Sequence, residues 1–295
     1  MIPRDAAAEF VARVADHFAY PPQVPIGPPQ CLDRGAAGIA LLHAVRARHD
    51  PASAERAHAW LRTATADGAD TGRPAGLLYG LPALVLVLSL LEDHYPGARK
   101  TLTRHLNTMA HQRVEAAHVR RASGALPSFG EYDLIGGLAG IGAVLLRAGP
   151  GGSAAERVLD SLVRLTEPVR GRGGGERPGW WVHHDPWPHT APEWEGGHAN
   201  LGMAHGAAGV LAVLSLAHRA GVRVEGHGEA IERICRYLDT WRQEGEAGSR
   251  WPLWVRRDAA GRSIRGQDVP GAPSWCYGTP GLARPTARRD RDRRR

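Results

Sequence analysis

His205–Ala217 reads HGAAGVLAVLSLA: a glycine, two small residues, a second glycine, then a run apolar or small on every side. A helix that is apolar all round its wheel is one buried on all sides. The glycine before it lets the backbone turn sharply and leaves amide N–H groups open at the helix start. The unit recurs as RGAAGIALLHAV at Arg34–Val45, YGLPALVLVLSLL at Tyr79–Leu91, GGLAGIGAVLL at Gly136–Leu146 and YGTPGLA at Tyr277–Ala283. Its leading glycines are Gly35, Gly80, Gly137, Gly206 and Gly278.

Between these units lie amphipathic segments. In HGEAIERICRYLDTWRQE, the residues Ile231, Ile234, Cys235, Leu238 and Trp241 form one helical stripe. SAERAHAWLRTAT does the same with Ala57, Trp60, Leu61 and Ala64, and SAAERVLDSLVRL with Val158, Leu159, Leu162 and Val163. Alternation of buried and half-buried helices predicts an all-α fold, an α/α toroid with an inner ring wrapped by an outer one. An open helical solenoid is the competing architecture, but it covers fully apolar helices less well. The Pro/Gly-rich stretches Pro21–Pro29, Gly171–Gly179 and Val269–Pro273 read as loops, so residues 1–283 are expected to form one domain.

The net charge of +7 would suggest a nucleic-acid partner, but residues 284–295 hold seven Arg and two Asp and so carry +5 of it. A basic terminal run is a solvated, disordered tail, and no nucleic-acid recognition motif accompanies it. Three scattered cysteines give no disulfide framework, which favours a cytoplasmic protein. No signal peptide is readable at the N-terminus, and the longest apolar stretch, Ala83–Leu91, is too short to span a bilayer.

Three glycine turns carry reactive side chains. Asp133 stands before one buried helix, where an N-cap is its ordinary use. His205 opens the next, and Cys276 the last. A lone histidine or cysteine in such a place is more often structural. Together, brought to one cavity by the repeat, the three make a plausible metal-bound thiol site with an acid/base partner.

YDLIGGLAGIG, GMAHGAAG and WCYGTPG resemble, in order, the signature blocks of the lanthionine synthetase C-like family, and the resemblance covers residues 1 to about 283. It implies a toroid around Zn²⁺ and a lanthipeptide cyclase. Such an enzyme closes (methyl)lanthionine thioether rings by Michael addition of a cysteine thiolate to dehydroalanine or dehydrobutyrine. The implied partners are a dehydrated precursor peptide and a lanthipeptide dehydratase, in a complex that can sit at a membrane. By the same resemblance Cys276 is a zinc ligand, His205 the general acid or base, Asp133 its carboxylate partner and Tyr277 a hydrogen-bond donor to the enolate.

The chain departs from the family pattern twice. A Cys-His-Gly block with two further zinc ligands does not follow WCYGTPG, where the sequence turns to PTARRDRDRRR, and Ala272 stands where the family often has Arg. These departures lead to the expectation of a C-terminally truncated toroid, left by a frameshift or premature stop, with His183, His184, His189 and His198 as solvated loop residues that do not replace the lost ligands. An inactive remnant that binds peptide or a partner is the alternative function. A carbohydrate-active toroid ranks lower, since it would need a second carboxylate opposite Asp133.

Overall fold

The computed structural model describes residues 4–23, 27–91, 94–149, 152–170, 175–186, 194–246, 248–257, 262–265 and 273–283. The expected basic tail at 284–295, Ala272 and His189 lie outside them. The chain forms two compact units, residues 1–106 and 107–295.

The first unit holds helices α1 (Arg4–His17), α2 (Ala36–Arg46), α3 (Ala52–Ala64) and α4 (Leu81–Leu88). The unit boundary falls within the 27-residue helix α5 (Pro96–Ala122). Helix α3 buries Ala57, Trp60, Leu61 and Ala64, the stripe read from the sequence. It packs on α2, whose small face of Ala36, Ala37, Ala40 and Ala44 lets the two helices approach closely. Helix α4 is buried at every position but Leu86, whereas α2 leaves Val45 49% exposed. Inner-helix composition thus holds for α4 and only partly for α2.

The second unit holds α6 (Phe129–Tyr132), α7 (Leu138–Ala148), α8 (Ser153–Leu165), α9 (Ala207–Arg219) and α10 (His227–Trp241). Helix α7 packs on α8 and α9, and α9 on α10. Helix α8 buries Val158, Leu159, Leu162 and Val163 as expected. Each such leucine contributes about 1.5–3 kcal/mol by leaving water. On α10 the stripe is displaced: His227 and Ala230 are buried with Ile234, Cys235 and Leu238, while Ile231 and Trp241 are half-buried.

Three small antiparallel sheets, absent from the helical expectation, complete this unit. Strand β1 (Val169–Arg170) pairs with β2 (Glu176–Arg177), and β4 (Gln243–Gly245) with β5 (Gly248–Arg250). In the third, β6 (Trp254–Arg257) runs between β3 (His198–Asn200) and β7 (Ser263–Arg265), in register Asn200↔Trp254 and Val255↔Arg265. Among the described residues no helix is long and apolar enough to cross a membrane.

The glycine turns share a backbone scheme. In the first unit the Leu32 N–H donates to Leu78 O at 2.8 Å; in the second, Leu134 N–H donates to Ala204 O at 3.0 Å, and Ala204 N–H to Cys276 O at 3.1 Å. The second glycine of the motif exists because a Cβ there would strike a carbonyl: 2.1 Å from Leu32 O at Gly38, 2.4 Å from Met203 O at Gly209 and 2.0 Å from Trp275 O at Gly281. The copy with Ala83 in that place is built differently. Its leading Gly80 takes φ +71°, a left-handed conformation that favours glycine.

Candidate active site

Asp133 is the anchor of the site. Its carboxylate is 3% exposed and both oxygens are engaged. Oδ1 accepts the backbone N–H groups of Gly136 at 2.7 Å and Gly137 at 2.8 Å, while Oδ2 meets His205 Nδ1 at 2.5 Å. The N-cap of α7 is Gly137 rather than Asp133. Asp133 instead reaches forward to close the turn that precedes the helix, and one carboxylate serves both fold and imidazole.

His205 stands directly before Gly206, the N-cap of α9. Its side chain is 32% exposed. With Nδ1 donating to a carboxylate, the neutral ring carries its proton there and leaves Nε2 as the basic nitrogen. Phe129, the first residue of α6, stacks beside the imidazole, with centroids 5.8 Å apart and planes 24° apart. Tyr277 lies on another side at 5.9 Å. Its hydroxyl is pushed above the ordinary tyrosine range, first by burial, then by the neighbouring Cys276, with the facing Asn200 side chain partly offsetting both. Tyr277 therefore stays protonated and able to donate.

Asp133, His205 and Tyr277 thus come together although they occupy different offsets from their glycines: four before Gly137, one before Gly206 and one before Gly278. Cys276 joins this frame through its carbonyl, and its side chain is exposed. A catalytic zinc takes three protein ligands. Among the described residues no three His, Cys, Asp or Glu side chains cluster in a way that could hold a metal, so those residues do not make up a zinc site.

Several residues at the site escaped the sequence reading. Asn200 on β3 is fully buried, and its Oδ1 accepts the Gly202 N–H at 2.8 Å, shaping the turn that presents His205. His198, expected as a solvated loop residue, is a fully buried strand residue ringed by Phe129 at 5.5 Å and Trp194 at 5.1 Å. Burial, then the nearby His184, push its pKa down to about 3. His183 and His184 are exposed, as expected.

A family model for lanthionine synthetase C-like proteins matches residues 29–288. The chain belongs to the lanthionine synthetase C-like family. Among solved structures it is similar to nisin cyclase, with a TM-score of 0.73 and 20% identity, over 97% of this chain and 70% of that one. This likeness shows a shared fold, the α/α toroid expected from the repeat. No curated protein matches in sequence. Within the family frame, the Asp133–His205 pair falls in the YDLIGG and GMAHG blocks, where the resemblance put the carboxylate and the acid/base group.

Proposed function

We propose that this protein is a lanthipeptide cyclase, joining a cysteine of a dehydrated precursor peptide to dehydroalanine or dehydrobutyrine in the same peptide. The observation that carries the reading is the Asp133–His205 pair in a member of this family, built on two glycine turns with the imidazole side chain 32% exposed. A free cysteine has a pKa of about 8.5 and is only a few per cent thiolate at neutral pH, so the reaction needs a base and later an acid.

His205 supplies both. Nε2 takes the thiol proton, the sulfur forms a bond to Cβ of the dehydro residue, and the π electrons move to give an enolate. The imidazolium, steadied by Asp133, returns the proton to Cα, and no atom is gained or lost. Asp133 holds the ring in the tautomer that carries its proton on Nδ1 and leaves Nε2 to act. Tyr277 donates a hydrogen bond to the enolate oxygen, where charge develops in the transition state. Phe129 stacks beside the imidazole. The family is generally zinc-dependent. Zinc in such an enzyme activates the thiol, but among the described residues Cys276 is one donor where three are needed, so the steps above rest on the protein's own side chains.

Ring closure leaves the peptide mass unchanged and consumes its thiol. Incubation with a synthetic peptide bearing one dehydroalanine and one cysteine, followed by thiol alkylation and mass spectrometry, tests the proposal. Loss of alkylation above the rate of peptide alone is the expected result. Binding without thiol loss would assign a peptide-holding role instead.

A further inference from the structure

A cleft of about 710 Å³ opens beside the site, between residues 124–128 and the β1–β2 ribbon. One wall is apolar, made by Leu126, Pro127 and Val169. The other carries Arg170, Arg177, His183 and His184, and no carboxylate lines the cleft among the described residues. Its positive charge is thus uncompensated by the walls themselves. Arg177 Nη1 lies 2.9 Å from His183 Nε2, its buried Nε has no hydrogen-bond partner among the described residues, and its guanidinium sits 5.6 Å from the centre of the Trp181 ring. Arg257 approaches the same ring at 5.9 Å. Arg257 donates to Glu176 O at 2.7 Å and does not line the cleft, so it is Arg170 and Arg177, on a wall without a carboxylate among the described residues, that call for an anion.

The cleft also adjoins the reacting residues. Ser128 and His184 line it, and His184 Nε2 accepts the Phe129 N–H at 3.2 Å. Phe129 is in turn the ring stacked on His205. Pockets of roughly 300–1,000 Å³ hold drug-sized ligands, which here means a few peptide residues. Aliphatic side chains suit the apolar wall and carboxylates the basic one. The described lining offers no Trp, Tyr or Phe on which nucleobases would stack.

We propose that this cleft binds a short acidic and aliphatic segment of the peptide substrate, holding the chain while its reacting residues reach His205. The inference rests on the cyclase reading for the identity of the peptide, but the binding itself can be measured without ring closure. The probe is a fluorescein-labelled Glu-Leu repeat of eight residues, which has neither thiol nor dehydro residue, compared by anisotropy with its Gln-Leu counterpart on the full chain.

The Glu-Leu peptide is expected to bind at least about tenfold more tightly, to weaken between about 50 and 500 mM salt, and to lose about tenfold in the R170Q/R177Q protein. Should the double variant lose its fold, the exposed Arg170→Gln alone is expected to cost about threefold. Equal affinity for the two peptides, unchanged affinity in the folded variants, or equally tight binding of a single-stranded oligonucleotide lost in the same variants would each overturn the assignment. Since the probe cannot cyclise, a negative result here leaves ring closure untouched, and absence of ring closure leaves this binding measurable.

Discussion

The two units use one backbone device for different ends. In the first, Leu32 N–H joins the Gly35 turn to the Gly80 turn through Leu78 O; in the second, Leu134 N–H joins the Gly137 turn to the Gly206 turn through Ala204 O. The side chain directly before the later glycine is Tyr79 in one case and His205 in the other. Tyr79 hydrogen-bonds Asp70, which raises its pKa, and His205 bonds Asp133. Both pairs are an aromatic group held by a carboxylate, yet only the second presents an imidazole, whose two nitrogens can take up a proton at one and hold one at the other. The turn is thus a fold device, and chemistry depends on what is grafted onto it.

The sharpest way to break this comparison is to exchange the grafted groups. His205→Ala is expected to lower the ring-closure rate by about 10²–10⁴, whereas Tyr79→Phe leaves it within about twofold. Equal losses, measured as thiol consumption, would return the second turn to a structural role. Asp133→Asn should cost about 10²-fold or more in rate, since the amide NH2 facing Nδ1 donates to it and leaves the ring proton on Nε2, the wrong tautomer for a base. Thermal denaturation should show the same variant folded, because the amide oxygen can still accept from Gly136 and Gly137.

The turns themselves should respond alike in both units. Gly38→Ala and Gly209→Ala each drive a Cβ into a backbone carbonyl and are expected to destabilise by about 1–3 kcal/mol by chemical denaturation. Ala83→Gly in the differently built turn should cost only about 0.5–1 kcal/mol. A gain in stability at Ala83 would show that the Gly80 turn obeys the common scheme after all.

Buried histidines give a gentler contrast, read in acid. His198 has a folded-state pKa of about 3 against 6.5 unfolded. Between those values the unfolded chain binds a proton that the folded chain does not. The stability it supports is therefore complete above pH 6.5 and falls as pH drops, by roughly 1.4 kcal/mol per unit. His198→Phe should flatten the acid limb of the stability curve by about one proton. His43 in the first unit is also lowered by burial, but its bond to Phe18 O at 2.8 Å opposes the shift. Replacing it should flatten the limb less.

Much of the fold was legible in the sequence where side-chain period and burial coincide. Helices α3 and α8 show this, since every residue of their stripes is buried. Helix α5 was not anticipated because no glycine-led unit opens it, although Leu106, Met109, Ala110, Val114 and Ala117 make one buried face at helical spacing. The strands escaped because none exceeds four residues, too short for alternation to register. His198 reads as a loop residue because the rings that bury it, Phe129 and Trp194 among them, include one some seventy positions away. Asp133 and His205 could be singled out one by one. The repeat and the family resemblance also put them in one site; the different offsets through which they touch were not legible, since these depend on how the helices meet.

The backbone bonds from Leu134 to Ala204 and from Ala204 to Cys276 each link positions about seventy residues apart. Such links form only after long stretches of chain have closed, a step governed by loop entropy and favouring slow folding. The frame that presents His205 is then among the last parts to assemble and has no local precursor. Amide exchange at Leu134 and Ala204 should accordingly report opening of the whole unit rather than fraying of a single turn.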